Sequence, residues 1–436
     1  MTTISTTSST ARIVAAASAL ALAAAACGGS SDDAPTAATT TPATTAPSVP
    51  EAQLKPIDPA ALQAIVDETA EDLLVPGLLV LLRTPQGEFT AASGTTKLGE
   101  QELPSVDTHF RIASITKTMT SATILLLAQE GKLSLDDPVS KYIPEVPDGD
   151  NITLAQLLEM RSGLYSFTDD PVISKNMDDD PTRVWKPQEL LDIAFAQPAM
   201  FAPGSDYYYS NTNYVLLGLI IEELEGRPIA EVFEDRLFEP LGMDDTMFAP
   251  LDSHTLPEPY AHGYLYGSAD HVMLGTPYTP EMAADAHAGT LEPKDFTDIN
   301  HSFSFTAGAV ISTGADLATW IQALGSGKVL DAEYQQIWQA SAKIIDPDNS
   351  YNWYGYGIDQ LRWGPNTIDL HGGQTPGFNS EAVYDPANDM SMVIWANLTM
   401  SVEGQFTAVV MMLKVLDEIY SPSPVPATTT TTSTPP

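Results

Sequence analysis

Apolar residues along the chain change period more than once, and each change predicts a different kind of element. In PAALQAIVDETAEDLL, from Pro59, they recur at helical spacing. In GLLVLLRTPQGEFTAASGTT, from Gly77, they form two strand-like runs with a turn at Pro85–Gly87. FRIASITKTMTSATILLLAQ, Phe110 to Gln129, reads as a helix made for burial that closes near Gly131 as a C-cap. A long stretch of helices and loops follows, including TLAQLLEMRSGL and NTNYVLLGLIIEELEG. From Phe305 strands return in FTAGAVIST, YGYGIDQLRW, NTIDLHGG, FNSEAVYDP and MSMVIWANL. ATWIQALGSGK intervenes as a helix, and QFTAVVMMLKVLDEIY closes the series as another. Strands first and last with helices between predict an α/β (α+β) unit: one sheet assembled from both chain ends, with an inserted helical lobe. A cleft between two such lobes is a natural ligand site.

The two ends follow no such pattern. ARIVAAASALALAAAACGGSS holds one cation, Arg12, then an apolar run from Ile13 to Ala26 that ends at Cys27. That run is too short to span a bilayer comfortably and has the form of the h-region of a secretory signal. Small residues Ala24 and Ala26 before Cys27 resemble a bacterial lipobox, which implies a mature chain starting at a lipidated Cys27. The alternative is an ordinary signal peptide cut nearby. Residues 28–50 and those from Ser421 onward are low-complexity segments that cannot bury a core. The expected organisation is a signal peptide at 1–26, a tether at 27–52, a folded unit at 53–420 and a disordered Thr/Pro tail at 421–436. The expected location is the cell envelope, with membrane contact only through the lipid anchor.

Composition narrows the classes. The 436 residues are 43% hydrophobic, ample for a sizeable core, and 57 acidic against 19 basic residues give a net charge of −38. So acidic a surface argues against nucleic acid or anionic headgroups as partners. Cys27 is the single cysteine, so an internal disulfide, a cysteine metal cluster and a Cys-His nucleophile are all excluded. The remaining histidines, at 109, 254, 262, 271, 287 and 301, form no H-E-x-x-H or i,i+4 pair, and there is no G-x-S-x-G elbow. Neither a metal nor a cofactor is expected.

One residue breaks the buried-helix pattern. Lys117 stands in a segment with no other charge from Thr118 to Gln129. Desolvating an unpaired ammonium is unfavourable, and the usual escape is a lowered pKa. Ser114 lies three residues earlier, on the same helical face, so a desolvated amine there can take its proton and make a nucleophile. A lone Ser-x-x-Lys is weak evidence, because a snorkelling surface lysine beside an unremarkable serine is the commoner explanation. Two further segments change that. YYYSNTNYVLLG places Tyr209 and Asn211 just before a helix, and IDLHGGQTPGF places His371 and Gly373 at a strand end.

The ordered triplet S-x-x-K, Y-x-N, H-x-G resembles the serine β-lactamase-related family, which groups class C β-lactamases, D-Ala-D-Ala carboxypeptidases and related esterases and peptidases. RSGL at 161–164, PGSDYYYSNTNY at 203–214, PLGMDDTMF at 240–248 and AGAVISTGADLATWIQAL at 307–324 extend the likeness over nearly the whole folded unit. The resemblance implies a β-lactamase/transpeptidase-like fold, an antiparallel sheet flanked by helices with an all-helical lobe. It implies catalysis by Ser114, Lys117 and Tyr209. Lys117 would act as base, or as the charge that keeps Tyr209 ionised; Tyr209 would shuttle a proton to the leaving group. Asn211 would bind the substrate amide and Lys117, though a helix N-cap is its bland reading. His371, Gly373 and Gln374 would line the substrate, with the Ser114 and Gln374 backbone N–H groups forming an oxyanion hole. Gly372 and Gly373 would let the strand approach the substrate closely.

The chain also departs from that family. A hydroxyl commonly stands at the middle of the third motif and contacts the carboxylate of penicillins and D-Ala-D-Ala peptides, whereas here Gly372 cannot. Where some carboxypeptidases place an arginine after Y-G-x-G, Asp359 stands; Arg362 should face away, and Arg161 is a candidate substitute. The expected reaction is acyl transfer through a Ser114 acyl-enzyme on a small-molecule or peptide substrate. D-alanyl-D-alanine carboxypeptidase-like cleavage of peptidoglycan stem peptides leads. An esterase or other peptidase follows, then a class C-like β-lactamase, then a penicillin-binding protein that acylates without turnover.

Overall fold

The computed structural model describes residues 53–346 and 349–420. Cys27, with the expected signal peptide, tether and tail, lies outside the described residues. The sheet contains eight antiparallel strands: β1 (Gly77–Thr84), β2 (Gly87–Gly94), β3 (Lys343–Asp346), β4 (Asn349–Tyr354), β5 (Asp359–Trp363), β6 (Asn366–Thr375), β7 (Phe378–Asp385) and β8 (Met390–Ala396), in the order β2-β1-β8-β7-β6-β5-β4-β3. The first two strands thus pair with the last, as the chain-end pattern predicts.

The central strands read as unbroken apolar runs because both faces of the sheet are covered. Along β1, Leu78, Val80 and Leu82 enter one core while Leu79 and Leu81 enter the other. On β8, Met392 and Ile394 join the first of these and Val393 and Trp395 the second. Each face needs its own helical cover, since a strand's side chains alternate. One cover is made by α1 (Pro59–Asp72) and a C-terminal helix, Thr407–Ile419, packed side by side. Asp58 caps α1 by accepting from the Ala60 N–H, with Pro59 at the first helical position.

The other face is covered by a helix at Gly314–Gly325, which packs on β1, β7 and β8; the helical lobe contributes α2 (Thr116–Gln129) and α3 (Asn211–Glu225), packed on one another. Helix α2 is polar for a buried helix, and its hydroxyls find partners. Thr118 donates to Ile115 O, Thr120 to Thr306 O, Ser121 to Tyr356 O and Thr123 to Met119 O. Buried hydroxyls without such partners would each cost on the order of 1–3 kcal/mol. Gly218 of α3 lets the Phe305–Ala307 turn come into contact, since a Cβ there would stand 2.1 Å from Thr306 Oγ1.

Three expectations are corrected. FTAGAVIST is not a strand of the large sheet: Phe305–Ala307 is a 3-10 turn, and Val310–Ser312 pairs with Phe110–Arg111 and Met247–Phe248 in a separate three-stranded sheet. YGYGIDQLRW is broken by a turn, with Gly357 at φ +68°, so Tyr354 ends β4 and Asp359 begins β5. Ser114 precedes α2, in a 3-10 turn over Ala113–Ile115.

Candidate active site

The segment around Ser114 is held in a conformation that few residues adopt freely. Ala113 has φ +47°, the left-handed region, which costs a non-glycine residue on the order of 1–3 kcal/mol and persists only where the surroundings enforce it. The enforcing contact is β6: the Ile112 carbonyl oxygen would lie 2.1 Å from a Cβ at Gly373. Gly373 is therefore required by the backbone that presents Ser114.

Lys117 is fully buried, and its Nζ donates to Ser114 Oγ at 2.9 Å and to the Ala307 carbonyl at 2.8 Å. Burial drives its pKa well below the usual lysine value, while the Asp359 carboxylate pulls the other way. An amine kept neutral and bonded to a hydroxyl can accept that hydroxyl's proton. Tyr209 stands just N-terminal to α3, with its ring centroid 4.9 Å from Lys117 Nζ. Burial raises the Tyr209 pKa, the nearby Ser114 hydroxyl opposes this, and Asp359 adds to the rise. Tyr209 is thus held as the neutral phenol, a proton donor, which does not fit a resting tyrosinate.

The remaining predicted residues divide between the cavity and its wall. Ser114, Asn211 and Gln374 line one cavity together with Thr168, His301 and Phe303. Asn211 opens α3, Ser210 holds the N-cap position, and the Asn211 Nδ2 donates to Thr168 Oγ1 at 2.9 Å. The expected Asn211–Lys117 bond is replaced by the lysine's bond to Ala307. His371 is in the wall: it is 2% exposed, with Nε2 3.2 Å from the Tyr354 hydroxyl and Nδ1 2.8 Å from the Gly372 carbonyl. Burial, with Lys117 nearby, pushes its pKa down to about 3, so it brings no positive charge. Tyr354 in turn packs edge-on against Tyr209, at 6.0 Å between centroids.

Two acidic groups complete the surroundings. Asp359 is pushed up to about 7 by burial, against the opposing pull of Lys117. Glu381, on β7 directly across from Gly372, is pushed up to about 8 by burial and by Asp359. Its Oε1 would lie 2.6 Å from a Cβ at Gly372, so the carboxyl fills the space of the absent side chain. Glu381 shares its sheet face with Val383 and Ile394, which belong to the core under the C-terminal helix. The two arginines are differently engaged. Arg161 donates to Ile344 O at 2.9 Å, and Arg362 bonds Thr367 with its guanidinium 5.0 Å from the Trp353 ring centroid.

Comparison with known proteins agrees with this geometry. Residues 62–414 match the family described as Beta-lactamase. A Bacillus subtilis (strain 168) protein provisionally named penicillin-binding protein PbpX is 29% identical over 292 residues, 67% of this chain and 62% of that protein. The chain thus spans less than two thirds of that relative's length. A protein of Escherichia coli (strain K12), provisionally named D-alanyl-D-alanine carboxypeptidase, is 26% identical over 344 residues, 74% of this chain and 77% of the other. Among solved structures, a D-stereospecific amidohydrolase from Streptomyces sp. superposes with a TM-score of 0.71 at 28% identity, covering 83% of this chain and 98% of its own. With the fold, the Ser114–Lys117–Tyr209 cluster and a family match that spans most of the chain in agreement, the protein belongs to the beta-lactamase family of serine hydrolases.

Proposed function

We propose that the protein hydrolyses amide bonds on the carbonyl side of D-amino-acid residues, through an acyl-enzyme on Ser114. The observation that carries the reading is the buried, neutral Lys117 bonded to Ser114 Oγ at 2.9 Å beside the Tyr209 phenol. Lys117 takes the serine proton as the hydroxyl attacks the carbonyl. Backbone N–H groups of Ser114 and Gln374 receive the oxyanion. Tyr209 hands a proton to the departing amine, and water then attacks the acyl-enzyme with Tyr209 as base. Of the similar proteins, one is named for carboxypeptidase action on D-alanyl-D-alanine and the other as a D-stereospecific amidohydrolase. D-alanyl-D-alanine carboxypeptidase-like cleavage of peptidoglycan peptides is the leading reaction, and amidase cleavage of D-amino-acid amides is the second reading. Gly372, which has no hydroxyl to meet a carboxylate, favours the latter.

The folded unit incubated with an acetylated L-lysyl-D-alanyl-D-alanine peptide is expected to release D-alanine catalytically, as read by chiral chromatography. Release of nothing from this peptide, its all-D amide or an ester would remove the hydrolase reading. A single stoichiometric burst on penicillin alone would point to a protein that acylates without turnover. The location is part of the same proposal: Cys27 carries a lipid that tethers the enzyme beside the cell wall. Cys27→Ser is expected to move the protein from the membrane fraction to the soluble fraction, and unchanged fractionation would count against the anchor.

A further inference from the structure

The cavity at Ser114 holds two polar groups that the mechanism leaves unused. His301, in the turn His301–Phe303, and Thr375, at the end of β6, both line it beside Asn211 and Gln374. Each is 2% exposed, and neither His301 Nε2 nor Thr375 Oγ1 has a hydrogen-bond partner among the described residues. Side-chain alternation along β6 puts Thr375 on the same face as Gly373, the face that meets the Ile112 carbonyl just before Ser114. A buried polar atom without a partner is costly, and two of them in residues beside a nucleophile call for a group that arrives with the substrate. Tyr209, which protonates the departing amine, does not line this cavity, so the acyl part of the substrate occupies it.

Charge decides what that acyl part carries. Apart from His301, no residue lining the cavity is acidic or basic. Asp169, next to Thr168 in the chain, is bonded to the Tyr208 hydroxyl. Asp359, the carboxyl that acts on Lys117 and Tyr209, does not line the cavity either. Near His301 stands Arg111, also 2% exposed, which donates to the His254 and Thr297 carbonyls and leaves Nε and Nη1 without a partner among the described residues. Burial brings the Arg111 pKa down to about 9, against the pull of Asp298, so the guanidinium is cationic at neutral pH. Burial, with Arg111 nearby, holds His301 well below the ordinary histidine value, against the Gly308 backbone, so the imidazole is neutral. A free α-ammonium would enter this cavity without a counter-charge and with a guanidinium close by, which is costly in a dry site. An amide is uncharged and brings one donor and one acceptor, the complement of two neutral groups that can each donate or accept. We propose that His301 and Thr375 bind the amide on the acyl side of the scissile bond, so that the enzyme takes D-aminoacyl groups whose amine is already acylated, as inside a peptide, and rejects those with a free amine. The inference rests on the D-aminoacyl hydrolase reading above and narrows its substrate class.

The test uses two matched pairs at neutral pH: N-acetyl-D-alanyl-D-alanine against D-alanyl-D-alanine, and N-acetyl-D-alanine amide against D-alanine amide. Within a pair the leaving group is the same, so the ratio of kcat/KM for acetylated over free substrate reads the acyl side alone. It is taken from the pair that is cleaved faster. The native enzyme is expected to favour the acetylated member at least about a hundredfold, as for a buried charge left unpaired. Thr375→Val keeps the shape and removes the hydroxyl, so the ratio should fall about tenfold. The melting temperature should not fall with it, since that hydroxyl has no partner to lose in the free protein. His301→Leu should lower the ratio in the same way, and His301→Gln, with a donor and an acceptor of its own, should restore most of it. A native preference for the free amine, or a ratio unchanged in both Thr375→Val and His301→Leu, would overturn the inference and leave the hydrolase reading intact. Absence of Ser114-dependent cleavage of all four substrates would overturn that reading, and the inference with it.

Discussion

Ser114→Ala is expected to abolish covalent labelling by an active-site phosphonate and to lower turnover at least about a thousandfold, with the folded state essentially unchanged. Removing a nucleophile from a set of groups that act as a unit leaves only what binding and oxyanion stabilisation provide. The fold should tolerate the change, since Ser114 is half-buried and Ala113 already places a methyl side chain in the same turn. The hydroxyl's hydrogen-bond partner, Lys117 Nζ, keeps its bond to Ala307 O. Intact mass after phosphonate treatment checks the claim. An adduct that survives in Ser114→Ala would assign the nucleophile elsewhere.

Lys117→Met is expected to give a loss of turnover comparable to that of Ser114→Ala, with a melting temperature shifted by only a few degrees. The two readouts separate because the amine serves chemistry at a structural cost. Methionine keeps the length and removes the desolvation penalty of a buried amine. Against that gain, the Ala307 carbonyl loses its donor, which costs on the order of 1–3 kcal/mol. The two effects have opposite sign and similar size. A variant that melts far below the native protein would make Lys117 a structural residue first. Near-normal turnover would leave Tyr209 as the base.

How much of this was legible beforehand differs from residue to residue. Ser114, Lys117 and Tyr209 were found because each conflicts with its local pattern or joins an ordered motif, and the structure brings all three together. Asn211 and Gln374 line the same cavity as Ser114, and the partner of Asn211 is Thr168 rather than Lys117. The break in YGYGIDQLRW was less visible, because Gly355 and Gly357 allow a turn without requiring one in a run of strand-forming residues. FTAGAVIST fails for a different reason: its apolar run suits a buried strand, but nothing local says which sheet it joins.

The sequence by itself determined most element types, a sheet assembled from both chain ends, and the identity and order of the reacting groups. Those follow from periodicity and from side-chain chemistry, which are properties of short stretches. Tertiary structure alone decided the electrical state of the site. His371 is neutral because it is buried against Tyr354, and the acceptor for Lys117 is a carbonyl 190 residues away. Glu381 stands over Gly372 because the register of β6 and β7 puts them opposite one another. Burial and cross-strand register are sums over contacts from distant parts of the chain, so the charge each group carries is settled only when the sheet and the helical lobe have closed on one another.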